Sequence, residues 1–312
     1  MNIQQMQYVL AVAEQRHYEQ AAEKCFVTQS TLSTMISRFE DEIGIKIFDR
    51  RKKPVELTTE GQALVVQMRV IMSDIDQLKE LTKELKGEIS GNLTLSVIPT
   101  VAPFLLPLFL QDFATKFPQL HITVKEETTG EIMRKLKSRD LDIGIASIPL
   151  DDRELQEIKL YDEPFVFYDA AGKPKKETNI GSLDAGKLCL LEEGHCMRTQ
   201  VLKLCDIKKN KNKSSTLNFD YKAGSIDSLL RFVKSNKATT LLPQLCTVGM
   251  PASENKHISK FASPVPYRSV GIVVHQHFVK RKILDILKNE IEEKVRMVMP
   301  ETKFKGEQIN PM

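Results

Sequence analysis

The sequence predicts an α/β protein with an N-terminal winged helix-turn-helix, a long linker helix and a region of alternating strands and helices. Three observations lead to this fold class. Short helical patterns fill the first part of the chain, one long helical pattern covers about residues 59–87, and short apolar strands alternate with helical patterns from residue 92 to about residue 300. A chain of 312 residues can form more than one domain. We therefore expect a first domain over residues 1–58, then the linker helix, then a second region ending near residue 300.

The first 44 residues predict three helices. MQYVLAVAEQ has apolar residues at helical spacing, and YEQAAEKCF predicts a second, short helix. Thr28 can cap a third helix, QSTLSTMISRFEDEI, and Gly44 is suited to end it. One face of this third helix is apolar, whereas the other is small and rich in hydroxyl groups. The side chains that this polar face would offer to DNA are Thr28, Gln29, Ser30, Thr31, Ser33, Thr34 and Arg38.

This layout is typical of a helix-turn-helix, in which the second helix of the motif enters the major groove of DNA. From periodicity alone, a three-helix core with a solvated face is equally consistent. The next segment, KIFDRRKKPVELTTEG, favours DNA because it predicts a hairpin wing with a basic tip that can contact phosphates. The basic residues of this wing are Arg50, Arg51, Lys52 and Lys53.

A long helix should follow the wing. Thr58 or Thr59 can cap it, and a helix continuing to about Lys86 would span about 42 Å. Its apolar residues follow alternating steps of four and three, which is the heptad seam of a coiled coil. Because no neighbouring segment obviously covers this stripe, we expect a second copy of the chain to pair with it, rather than packing on its own domain. The seam residues are Leu64, Met68, Ile71, Ile75, Leu78 and Leu85.

The remaining two-thirds of the chain begin after a hinge, KGEISGN. LTLSVIP, LHITVKEE and LDIGIAS predict strands separated by helices, and this order favours a mainly parallel sheet covered by helices. A second unit begins near Pro164, and it leads to a strand at YRSVGIVVH and a last helix at RKILDILKNEIEEKVRMV. The polar tail after Pro300, residues 301–312, is expected to be disordered.

Overall composition excludes some classes of protein but does not identify this one. The net charge is only +4, and acidic residues outnumber basic ones in residues 1–60, so the placement of charges rather than their sum indicates DNA binding. No apolar run is long enough to span a membrane, and the N-terminus lacks the basic region and cleavage site of a secretion signal. We expect a cytoplasmic protein with no membrane partner.

Five cysteines form an odd set that does not resemble the disulfide framework of a secreted protein. Cys196 and Cys205 bracket an apparently helical segment in EEGHCMRTQVLKLC, and the pair could bind metal, carry out thiol chemistry or fill a core. Two cysteines and one adjacent histidine lack zinc-ligand spacing, so we predict no metal and no cofactor. Cys25, Cys189 and Cys246 are interpreted as packing residues.

Over almost the whole chain, the sequence resembles the LysR-type transcriptional regulators. RHYEQAAEKCFVTQSTLSTMISRFEDEIGIKIFDR, followed by LTTEG, is similar to the N-terminal signature of that family, with Ser30 where the family usually has proline. The resemblance implies a winged helix-turn-helix, a dimerising linker helix and a regulatory domain of two α/β subdomains like a periplasmic binding protein. Subdomain I would cover about residues 92–163 and 267–300, and subdomain II about residues 164–266. Members of the family usually act as homotetramers on promoter DNA.

Within this family, the sequence is similar to the peroxide-responsive OxyR branch. GHCMRTQVLKLC matches a Gly-His-Cys…Cys pattern with the second cysteine nine positions after the first, and VIPTVAPFLLP and YDEPF are also similar. By position, the resemblance implies that Cys196 is the peroxidatic cysteine and Cys205 the resolving one. The family's acidic residue three positions after the reactive cysteine is Thr199 here. The residues implied to line or stabilise a peroxide pocket are Thr100, Thr129, His195 and Arg268.

The cysteine pair predicts a switch. Attack on peroxide needs a thiolate, and we expect His195, Arg198 and a helix N-terminus to stabilise it. Attack gives a sulfenic acid, which the second thiol can condense to a disulfide. If Cys196 and Cys205 lie on one helix, their Cα atoms are about 13 Å apart, whereas a disulfide needs about 7 Å or less. The bond therefore cannot close unless the segment unwinds or forms a loop.

We accordingly predict a peroxide-sensing transcriptional regulator rather than a turnover enzyme. Its expected partners are promoter DNA, further copies of the same chain, hydrogen peroxide, a thiol reductant and RNA polymerase. One alternative is a LysR-type regulator that binds a small organic effector between its sensor subdomains. Another is a thiol peroxidase with a basic surface, although the N-terminal motif argues against it.

Overall fold

A computed structural model describes residues 1–172, 176–183, 188–192, 194–204, 222–300 and 305–311. The chain divides into two compact units, one of residues 1–86 with 138–140 and one of residues 87–137 with 141–312. We call them the N-terminal unit and the sensor unit, and each is described by itself.

The N-terminal unit is helical apart from a short hairpin. Its core is formed by the apolar face that the sequence predicts for the third helix, where Leu32, Ile36 and Phe39 pack with Val9 and Val12 of the first helix. The elements are α1 Ile3–Gln15, α2 Tyr18–Lys24, α3 Gln29–Ile43, β1 Phe48–Asp49, β2 Glu56–Leu57 and α4 Thr59–Leu85.

Local side-chain chemistry fixes the helix ends where the sequence predicts them. Thr28 Oγ1 accepts a hydrogen bond from the Thr31 amide at 3.2 Å, which caps α3. Gly44 follows α3 with a φ of +71°, a left-handed backbone that glycine adopts without a steric penalty. Thr58 Oγ1 accepts from the Gly61 amide at 2.9 Å and caps α4.

Helix α4 has the predicted extent, but its apolar stripe is not uniformly uncovered. Met68 is only 4% exposed within the core of its own unit, and Leu64 and Ile71 pack partly against the same core. Leu78 and Leu85 are 62% and 80% exposed. The expectation that no other segment covers the stripe is therefore wrong for its first half, where α1 and α3 supply a core for α4 to pack on.

The sensor unit is built on a mixed sheet with helices between its strands. The elements are β3 Gly91–Val97, α5 Ala102–Lys116, β4 Leu120–Glu126, α6 Thr129–Lys137, β5 Ile143–Ile148, β6 Leu155–Asp169, β7 Glu177–Thr178, β8 Leu190–Leu191, α7 Cys196–Leu204, β9 Lys222–Ala223, α8 Ile226–Ser235, β10 Thr239–Pro243, α9 Ala252–Asn255, β11 Ile258–Phe261, β12 Val265–His275, α10 Arg281–Val298 and β13 Gly306–Gln308. The strand order is β4-β3-β5-β12-β6-β11-β7, with β10 also on β6 and β13 on β12, so β12 and β6 lie in the centre of the sheet.

The predicted βαβαβ order is confirmed, since β3 pairs parallel with both β4 and β5. The expectation of a mainly parallel sheet does not extend beyond these strands. Strand β12 pairs antiparallel with β5 and with β6. The long strands β6 and β12 run back across the unit in opposite directions, whereas parallel neighbours would need a crossover connection such as a helix.

Two apolar cores lie in the sensor unit. The first sensor core contains Phe109 of α5, Ile143 of β5 and Leu287 of α10. The second sensor core contains Leu229 of α8 and Leu241 of β10. Strand β6 and helix α7 each contribute residues to both cores.

The C-terminal segment is ordered where the structure describes it, so the prediction of a disordered tail is wrong for residues 305–311. Strand β13 pairs parallel with the start of β12, from Val265 to Tyr267. Strand β5 pairs with β12 only from Ser269 onward, which leaves this edge for β13. Backbone hydrogen bonds hold the segment, and a polar composition does not reveal them.

Among the described helices, none is both long enough and apolar enough to cross a lipid bilayer. The described residues also contain no cluster of three or more histidine, cysteine or carboxylate side chains arranged to hold a metal ion.

Candidate functional site

The predicted DNA-reading side chains form one face of α3. Thr28, Gln29, Ser30, Thr31, Thr34 and Arg38 are exposed, and Ser33 is half-buried. The Thr28 hydroxyl lies 3.0 Å from the Ser30 hydroxyl and 2.9 Å from the Thr31 hydroxyl. These contacts hold a cluster of small polar groups at the helix N-terminus, where a helix-turn-helix reads base edges.

The two arginines of the basic wing are held by other residues of the same chain, which the sequence alone does not indicate. Arg50 donates to Ser37 Oγ of α3 at 2.9 Å and stacks over the Tyr18 ring, with 5.4 Å from its guanidinium carbon to the ring centroid. Arg51 makes two hydrogen bonds to the Asp49 carboxylate, at 3.0 and 3.1 Å. Intrachain partners therefore orient these guanidinium groups and partly neutralise the charge of Arg51.

Of the two lysines of the wing, Lys52 also has a partner within the chain. Lys52 forms an ion pair with Glu56 at 2.5 Å, and Lys53 is exposed. Glu40, which the sequence analysis does not single out, is 1% exposed and accepts from the Ile47 amide at 2.8 Å and from Arg50 at 3.4 Å. It fixes the wing to α3. Its position four residues before Gly44 does not indicate this role, because the role depends on burial that the sequence does not show.

Cys196 is the first residue of α7 and is a free thiol only 7% exposed. Gly194, with a φ of +96°, makes the turn that leads into it. Cys196 belongs to the first sensor core, whereas Met197 and Val201 belong to the second. Helix α7 thus packs on both cores at once, and a change in its conformation would disturb both.

A buried ion pair lies beside the thiol. Arg268 of β12 is fully buried and donates from Nε to Glu163 Oε2 at 2.8 Å. Its Nη1 donates to Thr100 Oγ1 at 2.8 Å, and its Nη2 to the Thr100 carbonyl at 3.2 Å. Glu163 Oε1 accepts from the Leu245 amide at 2.8 Å. All three nitrogens of the Arg268 guanidinium and both oxygens of Glu163 therefore take part in hydrogen bonds, which offset the cost of burying the two charges.

The charges in this network act on one another. Burial works to lower the pKa of Arg268, but Glu163 and then Cys196 outweigh it, so the pKa is raised and the guanidinium stays charged. The same positive charge acts in the opposite sense on the thiol. Arg268 is therefore the cation that can stabilise a Cys196 thiolate.

Burial of the Cys196 thiol nevertheless opposes its ionisation. Burial raises the pKa of Cys196, and Arg268, Thr129 and backbone amides at the start of α7 lower it again without cancelling the effect of burial. The expectation that the surroundings favour the anion is thus only partly met. Stabilising groups are present, but desolvation outweighs them because α7 begins inside an apolar core.

Two buried polar atoms near the thiol, Thr129 Oγ1 and His195 Nδ1, are inaccessible to solvent and make no hydrogen bond of normal geometry to another described residue. The Thr129 hydroxyl is nevertheless close enough to the Cys196 sulfur to lower the pKa of that thiol. The other ring nitrogen of His195, Nε2, lies 3.8 Å from Glu192 Oε1. Buried polar atoms usually have partners, so their presence here indicates a place where a small polar molecule can bind.

The structure brings together Cys196, Thr100, Thr129 and Arg268 in one network, and His195 adjoins the thiol in sequence. Arg198, expected to support the thiolate, instead donates to the Leu191 carbonyl at 2.9 Å, because its position on α7 points it toward β8. Cys205 lies outside the described residues.

Sequence reasoning missed Glu163 and Gln200. Glu163 lies in YDEPF, a segment that resembled the family, and that similarity was the signal available for it. Gln200 is 1% exposed, and its Nε2 donates to Ser147 Oγ at 3.1 Å and to the Ile309 carbonyl at 2.6 Å. Nothing in its sequence context indicates these partners, because both are distant in the chain.

Comparison with known proteins identifies two family domains. Residues 3–62 match the bacterial regulatory helix-turn-helix protein of the lysR family, and residues 86–293 match the LysR substrate binding domain. Together the two matches cover the N-terminal unit up to the start of α4 and most of the sensor unit.

Individual relatives extend this likeness to nearly the whole chain. The DNA-binding transcriptional dual regulator OxyR of Escherichia coli K12 is 31% identical over 88% of this chain and 89% of its own length. The HTH-type transcriptional regulator EstR of Acinetobacter baylyi is 31% identical over 92% of this chain and 96% of its own. A full-length OxyR of Pseudomonas aeruginosa with one cysteine replaced by aspartate superposes with a TM-score of 0.74 at 27% identity, covering 94% of this chain and 98% of that one.

Proposed function

The chain belongs to the LysR family of transcriptional regulators, on its OxyR branch, and from this premise we propose that it senses hydrogen peroxide through Cys196 and regulates transcription at promoter DNA. The single observation that carries the proposal is the setting of Cys196. A buried thiol at a helix N-terminus lies near a buried guanidinium and two buried polar atoms, and these two atoms make no hydrogen bond of normal geometry to another described residue. The exposed polar face of α3 and the wing supply the contact with DNA.

The site suits a molecule of the size and polarity of hydrogen peroxide. Peroxide offers two O–H donors and lone pairs on both oxygens, so it can donate to His195 Nδ1 and accept from the Thr129 hydroxyl. Thr100 accepts from Arg268 and keeps the guanidinium fixed in place.

The first step is attack by the Cys196 sulfur on one peroxide oxygen. An S–O bond forms and the O–O bond breaks, so the sulfur is oxidised to a sulfenic acid and the peroxide is reduced. The thiol proton passes to the departing oxygen, which leaves as water. Arg268 stabilises the negative charge that develops on the sulfur when this proton leaves.

The second step joins Cys196 to Cys205. The Cys205 sulfur attacks the sulfenic sulfur, an S–S bond forms, and the hydroxyl group leaves as water with the Cys205 proton. Helix α7 runs from Cys196 to Leu204, a rise of about 12 Å. A Cα one peptide beyond Leu204 can come no closer to the Cys196 Cα than about 8 Å while α7 is helical. A disulfide needs about 7 Å or less.

We therefore infer that oxidation unwinds α7. Met197 and Val201, which are 2% exposed in the second sensor core, would leave their packing partners. A two-electron thiol reductant would reverse the step. Rearranged sensor units would alter how the subunits of a homodimer or homotetramer hold their DNA-reading helices, and so change the contacts made on the promoter and with RNA polymerase.

A second candidate function is the binding of a small organic effector. The sensor unit contains a cavity of about 550 Å³ with charged lining residues of both signs, among them Lys159, Asp162, Glu292 and Arg296. The EstR relative, which is as similar in identity as OxyR, is not named for peroxide. A thermal-shift screen of small organic acids would favour this alternative if one of them stabilised the protein while peroxide left its thiols unchanged.

Footprinting tests the proposed function. A DNA fragment selected from a random pool by the reduced protein would be probed with reduced and peroxide-treated protein. We expect peroxide to shift the protected region, and we expect Cys196→Ser to bind like the reduced protein with or without peroxide. Cys189→Ser, at a cysteine in the second sensor core, is the matched control and should respond like the unaltered protein. A Cys196→Ser protein that still shifted its footprint with peroxide would refute the proposal.

A further inference from the structure

The C-terminal segment contacts the helix that the proposed switch must unwind. Its strand β13 is held on the edge of β12 by backbone pairing, with the Val265 amide donating to the Lys305 carbonyl at 2.9 Å and the Ile309 amide donating to the Tyr267 carbonyl at 2.8 Å. Beyond β13, Ile309 is only 7% exposed. These backbone hydrogen bonds therefore attach the segment to the sensor unit separately from its contacts with α7.

Side chains add to this attachment. Gln308 Nε2 donates to the Ile148 carbonyl at 3.2 Å and to Ser269 Oγ at 3.1 Å. These partners lie on β5 and on β12, the strand that carries Arg268 of the buried ion pair. The tail therefore rests on two strands of the sheet rather than on a loop.

From this position the tail reaches α7 directly. The Ile309 carbonyl accepts a hydrogen bond from Gln200 Nε2 at 2.6 Å, and the Asn310 carbonyl accepts from Lys203 Nζ at 3.3 Å. Gln200 lies four residues after Cys196 and therefore on the same face of the helix. The same amide group also donates to Ser147 Oγ, so Gln200 joins α7, β5 and the tail.

We infer that residues 305–311 restrain α7 in its helical form and thereby set the rate at which the Cys196–Cys205 disulfide closes. This inference rests on the proposed function and adds a positioning role for Gln200 and for the tail. Gln200 is buried, so unwinding α7 must break both of its hydrogen bonds and withdraw it from the sheet. Removing the tail removes two of the three contacts described above and makes this opening easier.

The restraint should act on the second oxidation step and not on the first. Sulfenic acid formation needs only peroxide, Cys196 and the groups that shift its pKa, and no tail residue is among those groups. Disulfide closure needs α7 to open. A change confined to closure would therefore distinguish a restraint on the switch from general damage to the site.

The test compares the full-length protein with a chain that ends at Pro300. Sulfenic acid would be trapped with dimedone in a Cys205→Ser background to measure the first step, and disulfide closure would be followed by mass spectrometry of quenched samples. We expect the first rate to change by less than about twofold. Closure should accelerate by about tenfold, the effect expected when one or two net hydrogen bonds are lost.

A point substitution guards against a truncated chain that fails to fold. Gln200→Met removes the amide donor from α7 at similar volume and should also speed closure. Glu307→Ala, at an exposed side chain of β13, is the matched control and should leave both rates unchanged.

The outcomes separate the two claims. Unchanged closure rates in both the truncated chain and Gln200→Met would overturn the restraint, whereas a Cys196–Cys205 disulfide in the full-length protein would leave the proposed function intact. Absence of any sulfenic acid at Cys196 in the full-length protein would overturn the proposed function, and the restraint with it.

Discussion

At the scale of single residues, the state of the Cys196 thiol determines how the site can react. Desolvation raises its pKa more than Arg268 and Thr129 lower it, so the resting sulfur carries its proton. We expect it to react rapidly with peroxide only after it has lost this proton and become a thiolate.

A pH dependence follows from this state. Only the thiolate attacks peroxide rapidly, so the second-order rate should rise with pH, by about tenfold per unit below the pKa. Because burial raises that pKa, we expect no plateau below about pH 8.5, the value for a free cysteine. Stopped-flow measurement of sulfenic acid formation in the Cys205→Ser background checks this. A plateau near pH 6 would show that the thiolate is already formed at rest.

The variant Thr129→Val tests which groups set the pKa of Cys196, with the same stopped-flow measurement. The Thr129 hydroxyl lowers the pKa of Cys196, so its loss should raise that pKa further and slow the reaction at pH 7. Thr123→Val, at an exposed threonine of β4, is the matched control and should leave the rate unchanged. Equal reaction rates in the two variants would show that Thr129 does not affect the reactivity of Cys196.

The Arg268–Glu163 pair should dominate the stability of the site. Both side chains are fully buried, and substituting Glu163→Leu would leave the guanidinium without its counter-charge. We expect this change to lower the free energy of unfolding by about 3–5 kcal/mol. Adding Arg268→Met should recover much of that loss, since an apolar pair can replace a buried ion pair. Chemical denaturation measures both, and a loss of less than about 1 kcal/mol in the single variant would contradict the prediction.

At the scale of elements, α4 has two different halves. Its first half packs on the core of its own unit, whereas Leu78 and Leu85 remain exposed in the single chain. The heptad spacing is continuous across both halves, and periodicity alone therefore cannot tell which residues face the same chain and which face another. We propose that dimerisation depends chiefly on the second half.

The dimer prediction concerns these two leucines. Leu78→Glu should weaken the dimer by about 2 kcal/mol, the cost of losing one buried leucine, or about 30-fold in Kd. Leu85→Glu should act in the same way. Sedimentation equilibrium measures the change, with Gln67→Glu at an exposed position off the seam as the control. If both leucine variants dimerised with an unchanged Kd, the dimer interface would not include the second half of α4.

Sequence patterns predict the regular elements well and the tertiary contacts poorly. The boundaries of α3, α4 and α10 and the βαβαβ order follow from caps and periodicity, which are local. The antiparallel return of β12, the ordered β13 and the contacts of Gln200 depend on residues far apart in the chain. In the same way, the pKa of Cys196 depends on burial that no local pattern expresses.

At the scale of the whole molecule, two compact units divide the work. The N-terminal unit presents a small polar helix face and a wing whose charges are partly neutralised within the chain. The sensor unit holds the thiol, its buried ion pair and a helix that packs on two cores. In the account proposed here, covalent chemistry in one unit changes the DNA contacts of the other through the geometry of the assembled subunits.

The proposed disulfide switch can be tested by peptide mapping with mass spectrometry, after one equivalent of peroxide is added to the fully reduced protein. We expect a peptide pair linked through Cys196 and Cys205 to appear, while Cys25, Cys189 and Cys246 remain thiols. We also expect amide hydrogen exchange in α7 to accelerate as the linked pair accumulates. If Cys196 instead stayed reduced while another cysteine was oxidised, or if the bond closed with α7 still protected from exchange, the account would be contradicted.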